Sequence, residues 1–176
     1  MLPSNVGGPR ADEAVVDTTV LIALARVGRL DLLSDCFAKV LVPDEVVREL
    51  DLPTGHPHAQ SGESIRATVS EMGLVTLARR SDRMKTLPKS LGAGEAAAIE
   101  HAIGSQRRIL LTDDRAARKV APLVGVECHG TLWVVVLANE MGRLSAEEGR
   151  DLIGSLLRTG LRVSADVVVD ALSRLH

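Results

Sequence analysis

Two patterns of apolar residues alternate along the chain. Five short segments, most of them rich in apolar residues, are interpreted as strands: AVV, KVLVP, LVTLA, RRILLT and VECH. Between them apolar side chains recur every three or four positions, which predicts helices such as VLIALARVGRLDLL, GEAAAIEHAIG and TLWVVVLANEMG. Strands that lack a polar face are typical of a parallel sheet covered by helices on both sides. The pattern therefore predicts an α/β fold with a mainly parallel sheet of about five strands.

The two ends of the chain differ from this alternating part. Residues 1–13 contain Pro, Gly and polar residues without periodicity, so we predict a flexible leader. Residues 14–142 hold all of the predicted strands and form the α/β domain. Residues 143–176 predict helices only, which we expect to pack on the same domain. Their starts are marked by a capping-box pattern at Ser145 and Glu148 and by an N-cap at Ser164.

Composition and charge restrict the classes of partner. The chain of 176 residues has a formal net charge of −2, so no global positive field indicates a nucleic-acid ligand. A local basic patch or a bound metal can take that place. One Phe, one Trp and no Tyr leave few aromatic platforms, which argues against single-strand binding by base stacking.

The cysteines and the hydropathy pattern indicate a cytoplasmic protein. Cys36 and Cys128 lack metal-ligand spacing and are expected to be buried free thiols in a reducing compartment. The N-terminus shows no signal-peptide pattern. The longest fully apolar run, Leu132 to Ala138, is far shorter than the roughly 20 residues of a membrane span. We therefore expect no membrane association.

Carboxylates recur where the predicted strands end or where the helices after them begin. Asp17 follows the first strand, Asp113 and Asp114 follow ILLT, Glu49 lies on the helix after the second strand, and Glu95 opens the helix before the fourth. In open parallel sheets, ligands bind at the carboxyl ends of the strands. Each acid alone has an ordinary alternative as a helix cap, a first-turn acid or a solvated side chain. Their coincidence predicts an acidic cluster.

Such a cluster suggests a particular chemistry. Several neighbouring carboxylates cannot all stay ionised without compensation, and Mg²⁺ or Mn²⁺ with oxygen ligands supplies it. A metal held in this way activates water and offsets charge on a phosphoryl oxygen, which is phosphodiester hydrolysis. Thr19 and Thr112 are placed to orient carboxylates or water through their hydroxyl groups.

Four segments follow one another along the chain: VVDTTVLIALARVGRLDLL, VPDEVVREL, LGAGEAAAIEHA and ILLTDDRAARKVA. In this order they resemble the PIN-domain family, with a branch similar to the toxins of VapBC-type toxin–antitoxin pairs as the best match. The resemblance runs from about Val15 to the C-terminus. It implies a three-layer α/β/α fold and a Mg²⁺- or Mn²⁺-dependent endoribonuclease. It also implies a homodimer and a small antitoxin protein as partner.

The resemblance also assigns roles to single residues. It gives catalytic roles to four acids from separate segments: Asp17, Glu49, Glu95 and Asp114. Asp17, Glu95 and Asp114 would bind the metal, with Asp113 as an auxiliary ligand or a helix cap. Toxins of this branch often carry a further acid where Ala116 stands here, and an aromatic residue that commonly follows is absent. These departures leave the auxiliary metal position to Asp113.

Basic residues near the acids are candidate RNA contacts: Arg79, Arg80, Arg115 and Arg118. Contacts of this kind position a phosphate backbone without reading its sequence. The alternatives are an ordinary solvated surface or, for Arg115 and Arg118, a docking point for an antitoxin carboxylate. Two other functions stay open at this stage, a catalytically inactive PIN-like binding protein and a phosphoacceptor signalling domain. The second would need an acid pair after the first strand, where Asp17 stands without an adjacent acid.

Overall fold

The sheet is the centre of the fold. The computed structural model describes residues 11–50, 65, 67–71, 75–77, 87–88, 91–105 and 108–176. These contain five strands: β1 (Ala11–Val16), β2 (Phe37–Pro43), β3 (Val75–Leu77), β4 (Ile109–Leu111) and β5 (Glu127–His129). Their order is β3-β2-β1-β4-β5, and every pairing is parallel. The predicted α/β class with a parallel sheet of about five strands is confirmed.

Strand order reverses between β1 and β4. From β1 the chain proceeds to β2 and β3 on one side, and β4 and β5 then lie on the other side. The backbone N–H of Asp17 continues the ladder by donating to the Leu111 carbonyl, with 3.0 Å between N and O. This point at the carboxyl edge is where open α/β sheets bind ligands.

Eight helices are described with both ends: α1 (Thr18–Arg26), α2 (Asp31–Cys36), α3 (Asp44–Leu50), α4 (Ala93–Gly104), α5 (Arg115–Val120), α6 (Thr131–Glu140), α7 (Ala146–Arg158) and α8 (Ala165–Ser173). A 3₁₀ turn, Ala121–Val124, follows α5 and contains Pro122. Gly28 has a φ of +66° and so turns the chain between α1 and α2, which the sequence pattern had suggested as one interrupted helix.

Alternate residues of the strands belong to two different cores. Val16 and Leu111 pack into one, which α1, α2, α6 and α7 cover. Val15 and Leu110 pack into the other, which α4 and α5 cover. Because side chains alternate along a strand, a sheet buried on both faces needs apolar residues at successive positions. The three-layer α/β/α arrangement follows from this.

The first strand differs from its prediction. β1 begins at Ala11, three residues before the predicted start and inside the predicted leader of residues 1–13. Parallel pairing reaches Ala11 opposite Phe37, and the Lys39 ammonium lies 2.9 Å from the Glu13 carboxylate on the neighbouring strand. These polar side chains hid the strand from the apolar pattern. Residues 1–10 lie outside the described part of the chain.

The C-terminal helices share the core of the α/β domain. Leu152, Ile153, Leu156 and Ala171 are buried in the same apolar cluster as β1. Ser145 and Glu148 form the predicted capping box of α7. Ser164 stands at the N-cap of α8, but its hydroxyl makes no capping hydrogen bond. No helix in the described ranges is long and apolar enough to cross a bilayer.

Candidate active site

One open cleft of about 790 Å³ lies at the carboxyl edge of the sheet, at the point where strand order reverses. Four acids from four segments line it: Asp17 after β1, Glu49 on α3, Glu95 on α4 and Asp114 after β4. Asp113, Thr19 and Arg115 line it as well. The acids that lie up to 97 positions apart in the sequence therefore meet in one place.

Asp17 is the most deeply buried of the four acids, at 3% exposure. It caps α1, and its Oδ1 accepts a hydrogen bond from the Thr19 backbone N–H at 2.6 Å. The hydroxyl of Thr112 donates to its Oδ2. Burial raises the pKa of Asp17 to about 7, although these hydrogen bonds oppose the rise; the negative charge of Glu95 adds to it. The helix cap and the candidate ligand are thus the same residue.

Glu49 is held in place by two donors. The hydroxyl of Thr18 donates to its Oε2 at 2.5 Å, and the backbone N–H of Gly94 donates to its Oε1 at 2.8 Å. The carboxylate occupies the space where a residue other than glycine would carry its Cβ, since an added Cβ at Gly94 would come within 2.5 Å of the Glu49 Cδ. Glycine at this position therefore lets α3 and α4 approach closely enough to join two acids.

Glu95 is the electrostatic centre of the cluster. Its pKa is raised first by burial and then by the charges of Asp114 and Glu49, while the backbone amides of Gly92 and Glu95 lower it in part. Its Oε2 is buried and has no hydrogen-bond partner of acceptable geometry among the described residues. A buried carboxylate oxygen without a donor is costly unless something positive binds it.

Asp114 uses one oxygen for structure and leaves the other available. It is the N-cap of α5, and its Oδ1 accepts from the backbone N–H groups of Ala116 at 2.7 Å and Ala117 at 2.8 Å. Its own N–H donates to the Thr112 hydroxyl at 3.1 Å. Within the part of the chain that the structure describes, Oδ2 makes no hydrogen bond.

Asp113 is bound differently from its neighbour. Its carboxylate accepts from the backbone N–H of Thr131 at 3.0 Å and from the Thr131 hydroxyl at 2.5 Å, at the start of α6. Its own N–H donates to the Thr19 hydroxyl at 3.0 Å. Burial raises its pKa, whereas Thr131 and Arg118 lower it. Asp113 thus does not cap α5, as was one of its predicted roles, because Asp114 does; its auxiliary metal role stays a prediction.

Three arginines lie in the wall of the cleft: Arg26, Arg115 and Arg162. Arg26 donates to the Thr159 carbonyl at 3.2 Å, which ties α1 to the end of α7. Arg118, a predicted RNA contact, donates instead to the Thr112 carbonyl at 3.2 Å and lines a neighbouring groove. The other predicted contacts, Arg79 and Arg80, lie outside the described residues.

Oxygen donors of this kind fit a hard divalent cation. No group of three or more His, Cys, Asp or Glu in the described ranges is spaced to hold a metal ion unaided. Magnesium, however, is usually held by one or two carboxylates together with waters and substrate phosphates. Asp114 keeps one oxygen that accepts no hydrogen bond in the described ranges, Glu95 has a buried oxygen without a well-placed donor, and the charge of Asp114 raises the pKa of Glu95. These two acids, together with Asp17, have the donor chemistry for Mg²⁺ or Mn²⁺.

Sequence reasoning missed several residues of the site. Thr18 and Thr131 each hold an acid, and Arg26 and Arg162 line the cleft. The two threonines stand next to a candidate acid or a strand end, which is a weak signal. Nothing in the sequence pattern could place Arg162, because it reaches the cleft only through the packing of the C-terminal helices.

Of three comparisons with known proteins, the one with family models identifies the family of this chain. No curated protein matches the chain. Among solved structures the chain is similar to a domain of a functionally unknown protein from Methanocaldococcus jannaschii, at 19% identity and a TM-score of 0.46, covering 68% of this chain and 91% of that one. At this identity and TM-score the similarity supports no conclusion about this chain. The model of the family DUF3368, described as a PIN domain, matches residues 13–176. Because that match spans nearly the whole chain, the protein belongs to the PIN-domain family.

Proposed function

We propose that this protein is a Mg²⁺- or Mn²⁺-dependent endoribonuclease. The observation that carries the proposal is the convergence of Asp17, Glu49, Glu95 and Asp114, from four separate segments, in one open cleft. Membership of the PIN-domain family, a nuclease-type fold, supports it. Burial raises the pKa values of Asp17 and Glu95, and the charges of neighbouring carboxylates add to both rises; a divalent cation would offset that repulsion.

The four acidic side chains have different roles in this proposal. Glu95 and Asp114 line the cleft, Asp114 with one oxygen that accepts no hydrogen bond in the described ranges, and Asp17 in the same cleft is fixed by Thr112 and the Thr19 backbone. A bound divalent ion would lower the pKa of a water and offset negative charge on the phosphoryl oxygens. Glu49 is held by Thr18 and Gly94, and its negative charge raises the pKa of Glu95. A cation bound between these acids would reduce that repulsion.

Arginines at the rim would hold the anionic backbone. Arg115 follows Asp114 directly and is exposed beside the cleft, and Arg162 faces it from the C-terminal part of the chain. Their guanidinium groups suit phosphate oxygens and do not distinguish bases. Substrate binding is therefore expected to depend strongly on salt.

We further propose that the nuclease acts in the cytoplasm as the toxin of a toxin–antitoxin pair, as a homodimer that a small antitoxin neutralises. The support for this is the resemblance of the four sequence segments to VapC-type toxins. A neighbouring reading frame that encodes a small DNA-binding protein would strengthen it. Growth arrest on expression of the chain alone, relieved by that neighbour, is the direct test.

A cleavage assay tests the nuclease. The purified full chain is mixed with end-labelled RNA in Mg²⁺, Mn²⁺ or a chelator, and Asp17→Asn is compared with Asp151→Asn. Asp151 is an exposed residue of α7 that lines neither cavity, so it controls for the chemical change. We expect metal-dependent cleavage that only Asp17→Asn abolishes, with circular dichroism unchanged. Full activity in Asp17→Asn would refute the proposal.

Calorimetry with Mn²⁺ separates an enzyme from an inactive PIN fold. An active protein should bind Mn²⁺, and Glu95→Gln should weaken that binding because Glu95 lies at the centre of the acids. Normal folding without any Mn²⁺ binding would favour a protein that uses its PIN fold for binding alone.

A further inference from the structure

A second groove of about 500 Å³ continues from the acidic cleft, between the end of β5, α6 and α8. Asp113, Arg115 and Arg162 line both the cleft and this groove. The groove is therefore the direct continuation of the cleft. Its volume lies within the roughly 300–1,000 Å³ of small-molecule binding sites, large enough for a nucleotide-sized group.

An aromatic platform lies in this groove. The rings of His129 and Trp133 are stacked, with centroids 3.7 Å apart and 16° between their planes. The Glu127 carboxylate fixes the His129 ring through Nε2 at 2.7 Å. Trp133 is the single tryptophan of the chain, so its position depends on the fold rather than on a pattern of aromatic residues. Aromatic rings near arginine side chains offer a surface on which an unpaired base can stack.

Two cations between the cavities are available for an anionic ligand. Arg115 and Arg162 are exposed, and neither makes a hydrogen bond or an ion pair within the described ranges of the chain. By contrast, Arg174 at the far side pairs with Glu140 at 2.9 Å. Asp166 and Asp170 also line the far side, so phosphate is favoured only near the cleft.

We propose that this groove is a subsite for one nucleotide of a single-stranded RNA that extends from the acidic cleft. Arg115 and Arg162 hold the phosphate between the two cavities, and the base lies against the His129–Trp133 pair. The proposal rests on the ribonuclease function proposed above and adds the place on this chain where one base and one phosphate of the substrate bind. A duplex offers no free base to this platform, because its bases are already stacked and paired.

An acidic protein segment is the competing occupant, since carboxylates also pair with arginine. Two observations favour RNA. The side chains of Arg115 and Arg162 line both cavities, so they can hold a backbone that runs from one to the other, whereas His129 and Trp133 line only the second groove. An acidic peptide would instead meet the carboxylates Asp166 and Asp170 along the groove.

The single tryptophan makes the subsite directly observable. The Asp17→Asn full chain is titrated in Mg²⁺ with a short single-stranded RNA while the Trp133 fluorescence is recorded. Anisotropy of a labelled copy of the same RNA measures binding anywhere on the protein. We expect saturable quenching of Trp133 with the same midpoint as the anisotropy change. Poly-glutamate and a duplex RNA of the same length, titrated in parallel, should not quench.

Substitution of the two arginines tests the phosphate contact. Arg115→Ala with Arg162→Ala should weaken binding and lower the slope of log K against log salt by about 0.7 for one shared phosphate. Arg150→Ala, at an exposed position of α7 that lines neither cavity, should leave the slope unchanged. An unchanged slope in the double variant would contradict the phosphate contact.

The outcomes separate the subsite from the nuclease. Cleavage by the wild-type chain together with RNA binding that does not quench Trp133 overturns the subsite and leaves the nuclease intact. Quenching with saturable RNA binding but no cleavage in any metal supports the subsite and overturns the nuclease. Quenching by poly-glutamate as strong as that by RNA overturns the subsite and identifies a protein-binding groove.

Discussion

Two adjacent aspartates that follow β4 both line the cleft but are bound by different parts of the molecule. Asp114 caps α5, and its charge raises the pKa of Glu95. Asp113 is bound by the backbone and the hydroxyl of Thr131, with Arg118 nearby. Both have ordinary structural contacts, yet Asp113 is satisfied on both oxygens while Asp114 keeps one free. A carboxylate is thus a candidate metal ligand when its neighbours leave one oxygen without a hydrogen bond; being an aspartate is not enough.

Separate substitutions at these two positions should have opposite effects. Asp114→Asn should lower the rate of RNA cleavage by more than about 100-fold because a metal-binding charge is lost, while the helix cap survives since Asn caps as well as Asp. Asp113→Ala should retain most of the activity but lower the free energy of unfolding by about 1–3 kcal/mol, because the Thr131 donors lose their partner. Initial cleavage rates and urea denaturation measure the two effects.

Asp113→Asn provides the matched control for charge at the neighbouring position. It should retain much of the contact with Thr131 and much of the activity. If Asp113→Asn and Asp114→Asn lowered activity equally, the distinction between the two aspartates would be wrong.

The metal-free protein should lose stability as pH rises. The pKa of Asp17 is raised in the folded state from 3.8 to about 7, so the folded protein binds the proton more tightly than the unfolded chain does. This stabilisation is fully present below pH 3.8 and is lost as the pH rises to about 7. Glu95, whose pKa is also raised, contributes in the same direction. Urea denaturation in a chelator across this range measures it.

One variant and the addition of Mn²⁺ test the pH prediction further. Asp17→Asn should flatten the pH profile, because the group that titrates is gone. Mn²⁺ should restore the stability of the wild-type protein more at pH 8 than at pH 5, since the ion needs ionised carboxylates. A wild-type stability that increases between pH 4 and pH 7 in a chelator would contradict the burial of Asp17 without a cation.

The approach of α3 to α4 should depend on Gly94. Gly94→Ala would place a methyl group against the Glu49 carboxylate, so Glu49 must move away from Glu95. We expect activity to fall by about tenfold, comparable with the loss of a residue that supports a metal ligand. Gly154→Ala is the control, because a methyl group there meets the mobile end of Arg158 at 3.2 Å, and helix propensity favours alanine. Equal activity of both variants would show that Glu49 needs no such fixing.

The smallest effect is expected far from the cleft. Ser145→Ala removes the hydroxyl that accepts the Glu148 N–H at the start of α7. Stability should fall by about 1 kcal/mol, as for other N-cap serines, while the cleavage rate stays unchanged. Thermal denaturation and the RNA assay measure the two quantities. A loss of activity at constant stability would instead connect α7 to the site.

The architecture could be predicted from the amino-acid sequence alone. Apolar runs without a polar face predicted a parallel sheet covered on both sides, and local signals predicted the capping box at Ser145. Both signals are local, because the periodicity of a segment and the residues at a helix start can be recognised without knowing the tertiary contacts. The same pattern placed the candidate acids at segment ends, where the four-segment resemblance assigned them roles. The apolar pattern missed the start of β1, because the residues around Glu13 are polar and are part of the strand only through pairing with β2.

Which side chains meet could not be predicted from the sequence and depends on the packing of the folded chain. That Thr18 holds Glu49, that Asp113 contacts Thr131 and that Arg162 borders the cleft depend on contacts between segments distant in the chain. The amino-acid composition argued against RNA binding by base stacking, because the chain has one tryptophan and few other aromatic residues. The fold nevertheless stacks that tryptophan on His129 beside the cleft. The types of residue limit the reactions that a site can carry out. The distances between these residues, their burial and the charges around them determine which of those reactions is possible.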